Sequence, residues 1–300
     1  MKKIACIYHS RDLDGWMSAA IVKHWYKKTY HNHLIIDGDY EETGFNESIV
    51  IDKDPASITF IGYDYGQPVP DYSQYDIVIM CDVSFPEEDM NFLIGDSPIN
   101  PQRLIWIDHH VSAISNPRIK ENWALGLRDI TKAACELTWL YFMTDPNKTH
   151  YDQEDVLNMP ELVRLLGRYD CFGHKGTSEE TYVLEFQFGA RTIIENTEDA
   201  YKFLLNCLQP ELGPKIITDI HSMGSAIYKY LCTEARQKYS KMVPVEIDGY
   251  TFGFVVAERL NPINFGIDYH KDDLDGFMCA WYDGFNWSYS LYNDNGEVDC

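Results

Sequence analysis

Carboxylate and imidazole side chains recur where apolar runs of this sequence end. They are His9, Asp12 and Asp14 after the run at residues 3–8, Asp82 after 76–81, and Asp108, His109 and His110 after 103–107. Carboxylates and imidazoles without thiolates suit Mn²⁺ or Mg²⁺ better than structural zinc. Several carboxylates in one crevice would repel one another unless cations lay between them. Two divalent ions would offset that charge and clamp the oxygens of an in-line phosphoryl displacement.

Five short apolar runs in the first half of the chain predict buried strands. They are nearly continuous and rich in Ile, Val and aromatic residues, as strands covered on both faces should be. They occupy Lys3–Tyr8, His33–Asp37, Ser57–Tyr63, Asp76–Asp82 and Arg103–Asp108. Helical patterns lie between them, which predicts a doubly wound α/β domain with a parallel sheet. The acids and imidazoles at the strand ends should therefore converge at one edge of that sheet.

Helices are predicted from the 3.6-residue period and from capping signals. In the first half they are Gly15–Lys28, a short helix after Pro86 with Ser84 as its cap, and Thr131–Phe142. Later ones are Asp155–Tyr169, Asn196–Leu208 and Gly213–Tyr239. No strand pattern separates the last two, which indicates a helical connector.

The segment after Lys241 has a β pattern. It contains VPVEID, YTFGFVVA, GFMCAWY and NWSYSLYN, and the last two runs flank a turn signal at Asp283-Gly284-Phe285. We expect a second, smaller α/β domain, in which the alternating aromatic residues of the hairpin form core. The domains are predicted as 1–185, a connector at 186–242, and 243–300.

The composition restricts the partners and the compartment of this chain. Its 47 Asp and Glu against 25 Lys and Arg give a net charge of −22. Long duplex nucleic acid requires a wide basic surface, so we exclude it as a partner. A phosphate substrate should be short, or be attracted locally by bound cations. No run reaches membrane-spanning length, the apolar run near Met1 is too short for a signal peptide, and CxxC pairs are absent, which predicts a cytoplasmic protein with free thiols.

Three ordered motifs resemble those of the DHH phosphoesterase superfamily. They are HxxDLDG at residues 9–15, CDVSF at 81–85 and IDHH at 107–110. The superfamily includes RecJ-type exonucleases, oligoribonucleases, 3′-phosphoadenosine-5′-phosphate phosphatases, dinucleotide phosphodiesterases and family II pyrophosphatases. The resemblance covers roughly residues 4–170 and extends more loosely to the rest. It implies a parallel-sheet catalytic domain followed by a DHH-associated substrate domain.

The resemblance also implies a set of metal ligands. They would be His9, Asp12, Asp14, Asp82 and His109, completed by an aspartate of a fourth motif. Asp170 in LLGRYD is the best match for that aspartate because it ends a helix with a leucine stripe, and Asp152 and Asp155 are alternatives. Asp14 or Asp82 would bridge two Mn²⁺ ions, in whose place Mg²⁺ or Co²⁺ could bind.

Catalytic and substrate-binding roles follow from the same resemblance. His110 would contact the scissile phosphate or protonate the leaving oxygen, and Asp108 would orient an imidazole. In the second domain, SLYN at Ser290–Asn293 resembles the SLxS hairpin of the family, so Ser290 and Tyr292 are expected to contact substrate. His174, four residues beyond Asp170, is expected to be a solvated loop residue.

The predicted activity is a Mn²⁺-dependent phosphodiesterase that hydrolyses short oligonucleotides or nucleotide diesters with a metal-activated water. Two alternatives stay open. One is a phosphatase of the same superfamily that acts on polyphosphate or a bisphosphonucleoside. The other is a non-catalytic nucleotide-binding protein, which we keep because the GGGH segment that binds substrate in the family does not occur in these residues. A homodimer is also left open.

The first motif has an echo, HKDDLDGFMCAW at His270–Trp281. No CDVSF or DHH follows this second copy, and it leads into a predicted hairpin rather than a helix. We therefore expect His9–Gly15 to carry the chemistry, and the second copy to be a coincidental echo or a loop of the substrate domain.

Overall fold

The computed structural model describes residues 2–30, 57–95, 103–119, 124–144, 151–257, 264 and 274–293. The chain divides into two compact units, Met1–His221 and Ser222–Cys300. That division falls inside the segment 186–242, which the sequence predicted as a connector. The assignment of a catalytic and a substrate-binding domain stays a prediction, and the predicted strand His33–Asp37 lies outside the described residues.

The first unit is built around a four-stranded parallel sheet. Its strands are β1 (Lys3–His9), β2 (Ser57–Tyr63), β3 (Ile77–Cys81) and β4 (Leu104–Ile107), in the spatial order β2-β1-β3-β4. The register pairs His9 with Tyr63, and Cys81 with Ile107. The predicted parallel sheet is therefore confirmed, with the strand ends at one edge. The chain order reverses between β1 and β3, and open α/β sheets bind ligands at such a point.

Helices cover both faces of this sheet. Alternate residues of a strand point to opposite faces. One set packs against α2 (Glu87–Ile94) and α3 (Val111–Ile114), and consists of Ala5, Ile7, Val78, Met80, Leu104 and Trp106. The other set packs against α1 (Leu13–Tyr30) and α4 (Ala134–Phe142), and consists of Ile4, Cys6, Ile79, Cys81, Ile105 and Ile107. Burial on both faces explains why these strands are continuous apolar runs in the sequence.

Further helices follow along the chain. They are α5 (Gln153–Leu157), α6 (Glu161–Asp170), α7 (Glu180–Ala190), α8 (Thr197–Cys207) and α9 (Gly213–Tyr239). Of these, α6 and α8 pack directly against α1. Leu162 and Leu166 of α6 lie in one buried cluster with Met17 of α1. Within the described residues, no helix is both long enough and apolar enough to cross a membrane. The cysteines of those residues are free thiols.

One predicted helix and one predicted cap were wrong, and a proline is involved in both cases. The predicted helix Asp155–Tyr169 is divided into α5 and α6, because Pro160 starts a new helix instead of continuing the previous one. The cap of α2 is Pro86, so Ser84 does not cap this helix.

The second unit contains a four-stranded sheet of mixed direction. β5 (Val243–Ile247) pairs antiparallel with β6 (Tyr250–Val256), β6 pairs parallel with β7 (Gly276–Tyr282), and β7 pairs antiparallel with β8 (Trp287–Tyr292). These are the four runs predicted from the sequence. Asp283 closes the predicted turn by accepting hydrogen bonds from the N–H groups of Phe285 and Asn286.

Four of the aromatic residues of the β7–β8 hairpin do not form core, which corrects the prediction for these residues. Tyr282, Phe285, Trp287 and Tyr289 are 54%, 89%, 54% and 59% exposed. The residues that alternate with them on β8 pair with Trp281, Cys279 and Phe277 of β7; they are Ser288, Ser290 and Tyr292. Side chains do alternate between the two faces of β8, but the inner face carries Ser288, Ser290 and Tyr292 rather than the aromatic residues Trp287 and Tyr289. Tyr292 packs against the core of the second unit, and substrate contact by Ser290 and Tyr292 stays a prediction.

The second copy of the motif makes structural contacts where it is described. Leu274 packs against the core of the second unit, and Asp275 accepts a hydrogen bond of 2.7 Å from the N–H of Thr251. A side chain on Gly276 would collide with the carbonyl oxygen of Tyr292 at 2.6 Å. Residues 270–273 of this copy lie outside the described residues.

Gly15, in the first copy, allows α1 to begin close against the end of β1. A Cβ atom at this position would lie 2.0 Å from the carbonyl oxygen of His9. Only a residue without a side chain fits such an approach of two backbones. The glycine of the motif therefore serves the packing that places Asp12 beside His9.

Replacing Gly15 should destabilise the first unit. We expect Gly15→Ala to lower the free energy of unfolding by about 3 kcal/mol, because the backbone of β1 would have to move. The matched control is Gly66→Ala, since Gly66 has φ +86° but no described atom within 4 Å of its Cβ position. This control should cost about 1 kcal/mol from backbone strain alone. Urea unfolding measures both losses, and equal losses would contradict the close approach.

Candidate metal centre

Three groups of ligand atoms meet at the carboxyl edge of the parallel sheet. They are His9, Asp12 and Asp82; Asp14, His109 and Asp170; and Asp82, His109 and His110, with the atoms of each group within 4.8 Å of one another. The structure thus brings together all six residues that the sequence predicted as ligands. Asp170 lies at this edge because α6 ends there. The two alternative aspartates do not lie there, since Asp152 caps α5 and the side chain of Asp155 completes that cap.

Asp82 lies between two of these groups. Its Oδ2 is 3.5 Å from Nδ1 of His9, and its Oδ1 is 3.3 Å from Nε2 of His109. The residue is 1% exposed and has a left-handed backbone with φ 62°, which is uncommon for a residue other than glycine. Such strain is typical of residues held in place for a function. With one oxygen toward each group, Asp82 has the geometry of a bridge.

Four buried atoms at this edge have no hydrogen-bond partner among the described residues. They are Nδ1 of His9, Nε2 of His109 and both carboxylate oxygens of Asp82. Neighbouring atoms are close, at 2.8 Å from His9 Nδ1 to Asp12 Oδ2 and 3.1 Å from His109 Nε2 to Asp170 Oδ2. Buried polar atoms are rarely left unpaired. Atoms that lie close together without aligned hydrogen bonds are arranged as the ligands of a cation would be. Carboxylate oxygens together with imidazole nitrogens are a ligand set that suits Mn²⁺.

The start of α4 holds Asp14 from behind. Its carboxylate accepts hydrogen bonds from the N–H groups of Ala134 at 2.9 Å and Cys135 at 2.7 Å. The positive end of a helix favours the ionised form of such a carboxylate. Burial and the nearby carboxylates of Asp82 and Asp170 act in the opposite direction and raise the pKa of Asp14 well above its usual value. Full ionisation of this cluster therefore calls for additional positive charge.

The carboxylates strongly favour positive charge on two imidazoles. The nearby carboxylates of Asp12 and Asp82 attract a proton to the ring and raise the pKa of His9 to about 11. Burial acts to lower the pKa of His109, but Asp170 and Asp82 outweigh it and raise the pKa to about 11. Positive charge is thus favoured at two points, one on each side of Asp82. These are the points at which two divalent cations would lie.

Asp108 is an anchor rather than a ligand. It is fully buried, and its Oδ1 accepts hydrogen bonds from the backbone N–H groups of His109 at 2.8 Å and His110 at 3.0 Å. The same oxygen lies 2.8 Å from Nδ1 of His110, and Oδ2 accepts from the Trp106 indole at 3.1 Å. Asp108 was predicted to orient an imidazole, and the imidazole that it contacts is that of His110. This contact raises the pKa of His110, whose side chain is 35% exposed.

Sequence reasoning missed two residues at this edge, Asp64 and Tyr65, which directly follow β2. Oδ1 of Asp64 is 3.3 Å from Nε2 of His9. The Tyr65 ring is 48% exposed, and its centroid lies 6.1 Å from that of His9 and 6.2 Å from that of His110. The N–H of Ser84 donates to the Tyr65 hydroxyl at 3.3 Å. A signal existed for Asp64, because it follows a predicted strand just as Asp82 does.

His174 is buried, which corrects the prediction of a solvated loop residue. Its Nδ1 donates to the carbonyl oxygen of Arg168 at 2.9 Å. Its ring stacks on Tyr169 with centroids 5.5 Å apart and an angle of 4°. Burial lowers the pKa of His174, which favours the neutral ring. The residue packs the end of α6 and thereby supports the position of Asp170.

Neither a protein-family model nor a curated protein matches the sequence. The resemblance to the DHH phosphoesterases therefore depends on the three motifs and on the meeting of their residues at one edge of the sheet.

Asp82 should destabilise the chain when cations are removed and stabilise it when they bind. We expect Asp82→Asn to keep or raise the thermal midpoint in EDTA, because an unpaired buried carboxylate becomes a neutral amide. Mn²⁺ at about a hundred times its dissociation constant should stabilise the unaltered chain by about 2.7 kcal/mol and the variant far less. Thermal unfolding in both conditions measures the effect.

The control for this prediction is Asp71→Asn, since Asp71 is an exposed turn residue whose carboxylate accepts from the N–H of Ser73. It should respond to Mn²⁺ like the unaltered chain. Equal stabilisation of Asp82→Asn and Asp71→Asn by Mn²⁺ would exclude Asp82 as a ligand.

Proposed function

We propose that this chain is a Mn²⁺-dependent phosphodiesterase of the DHH type that hydrolyses short oligonucleotides or nucleotide phosphodiesters. The observation that carries the proposal is the position of Asp82, whose unpartnered oxygens face His9 on one side and His109 on the other. A buried carboxylate in this setting is costly unless positive charge lies next to it. Two cations would supply that charge, and two-metal sites of this kind serve phosphoryl transfer.

The residues divide into two ligand sets around Asp82. His9 and Asp12 would hold one cation, and Asp14, His109 and Asp170 the other, with Asp82 shared between them. The bound cations would activate a water and neutralise charge on the phosphoryl oxygens. The protein contributes fixed ligand positions, since Asp14 is bound to the start of α4 and Asp12 accepts the N–H of Gly15 at 2.9 Å.

His110 has the geometry of the group that assists the leaving oxygen. Its Nδ1 is engaged by Asp108, which leaves Nε2 for a substrate atom. A hydrogen bond from Nδ1 to a buried carboxylate also stabilises the imidazolium form, which is the form that donates a proton. Because Asp108 holds both the ring and the backbone N–H of His110, the ring has little freedom to turn away.

The substrate class follows from charge and from the ring of Tyr65. A net charge of −22 opposes a long polyanion, so only a short stretch of backbone would be drawn to the cations. The half-exposed ring of Tyr65 lies beside both His9 and His110, where a base or sugar next to the scissile phosphate could pack against it. Inorganic polyphosphate has no apolar part to use this surface.

A hydrolysis panel with Mn²⁺ tests the proposal. The substrates are a short RNA, a linear and a cyclic dinucleotide, a 3′,5′-bisphosphonucleoside and polyphosphate. We expect turnover of the short RNA or a dinucleotide above that of the others, with measurement of released nucleotide. Asp82→Asn should lose about a thousandfold in rate, because metal stabilisation of the transition state is worth several kcal/mol.

Each outcome of the panel has a clear meaning. Bound Mn²⁺ without turnover of any substrate would refute the enzyme and favour a nucleotide-binding protein. Turnover that is unchanged in Asp82→Asn would refute the site. Preference for polyphosphate or the bisphosphonucleoside would replace the proposed substrate class with a phosphatase.

His110 should contribute to the chemical step without holding a cation. We expect His110→Gln to lower kcat by about 10²- to 10⁴-fold, the range for a general acid. Its Mn²⁺ affinity should stay within about twofold, because Nδ1 of His110 is engaged by Asp108. Steady-state kinetics and a Mn²⁺ titration give the two values, with His24→Gln on α1 as the control. A matching loss of Mn²⁺ affinity would make His110 a ligand instead.

A further inference from the structure

The loop after β2 fixes a carboxylate against the far side of His9. Oδ1 of Asp64 is 3.3 Å from Nε2 of His9, and its Oδ2 accepts a hydrogen bond of 2.6 Å from Nε of Arg11. The loop itself is held, because the N–H of Gln67 donates to the Asp64 carbonyl at 3.1 Å and the N–H of Asp64 donates to the Gln67 side chain at 3.3 Å. Asp64 therefore sits in a defined position rather than in a free loop.

This contact fixes which side of the His9 ring faces the converging carboxylates. Nε2 lies toward Asp64, whereas Nδ1 lies 2.8 Å from Asp12 Oδ2 and 3.5 Å from Asp82 Oδ2. An imidazole that gives the lone pair of one nitrogen to a cation carries its proton on the other nitrogen. With a cation at Nδ1, that proton would be on Nε2, where the Asp64 carboxylate can accept it.

We propose that Asp64, held by Arg11, is a positioning residue that orients His9 so that Nδ1 faces the cation. The proposal depends on the metal centre proposed above and adds a residue that none of the sequence motifs contains. Among the described residues, Asp64 lies outside the three groups of converging ligand atoms, so it acts through His9 and is not itself a ligand.

Arg11 gives the carboxylate its own counter-charge. The guanidinium of Arg11 lies against Asp64, and this side chain is 68% exposed. It can therefore stay hydrated while it is paired with the Asp64 carboxylate. A carboxylate paired in this way does not add a further unbalanced charge to the acidic cluster. The sheet makes the arrangement possible, because Tyr63 pairs with His9 in the parallel register and Asp64 follows directly.

The first test compares Mn²⁺ affinity among single variants by calorimetry. Asp64→Ala should weaken binding about 10- to 100-fold, as loss of a residue that orients a ligand does. Asp64→Asn should recover part of that loss, because its amide oxygen can accept the same N–H. Asp71→Ala, which removes an equal charge from the same loop, should bind Mn²⁺ like the unaltered chain. Thermal midpoints in EDTA establish that every variant is folded.

The second test asks whether Asp64 acts through His9. In a His9→Ala background, Asp64→Ala should weaken Mn²⁺ binding by less than about twofold, because the ring that it orients is gone. A full 10- to 100-fold further loss in that background would overturn the proposal, and so would normal affinity in Asp64→Ala alone. No Mn²⁺ binding by the unaltered chain would overturn the metal centre and this inference together, whereas the other failures leave the centre intact.

Discussion

The candidate metal centre of the first unit depends on a buried carboxylate that makes no hydrogen bond to any described residue. Asp82 has a left-handed backbone at the end of β3, and neither oxygen has a hydrogen-bond partner among the described residues. Burial raises its pKa, and further carboxylates surround it, so ionisation in isolation is unfavourable. His9 and His109 each lie near one of its oxygens. The proposal of two cations gives this unfavourable arrangement a physical reason.

A second group fixes several of the converging side chains from the side away from the cluster. The start of α4 holds Asp14, Asp64 holds His9, and Asp108 holds His110. Asp170 has a less direct support, since the end of α6 is packed by the stacked ring of His174. Side chains fixed before binding lose little rotational freedom when a ligand arrives. These side-chain positions at the edge of the sheet are thus set before any ligand binds.

The strand-end acids could be predicted because a continuous apolar run marks where a parallel strand stops, and such ends meet in space. Asp170 was chosen because the resemblance implies a fourth-motif aspartate, and this one ends a helix with a leucine stripe. Asp64 also follows a predicted strand and could have been found by the same rule, whereas the approach of Tyr65 depends on the turn after β2. No spacing encodes the stacking that buries His174. Helix α7 was missed because its own buried residues lie around most of its circumference, so no clear polar stripe marks it in the sequence. In the β7–β8 hairpin the alternation was predictable, but the inner face is chosen by packing.

The six converging residues come from the start of the chain, from β3 and β4, and from the end of α6, so they span residues 9–170. Coordination across them would join these elements as a cross-link does, without a covalent bond. In the unfolded chain the same residues are far apart, and bringing them together closes long loops at an entropic cost. An ion held by all of them would therefore favour opening of the unit as a whole over separation of α6 alone, and would make the unit more cooperative.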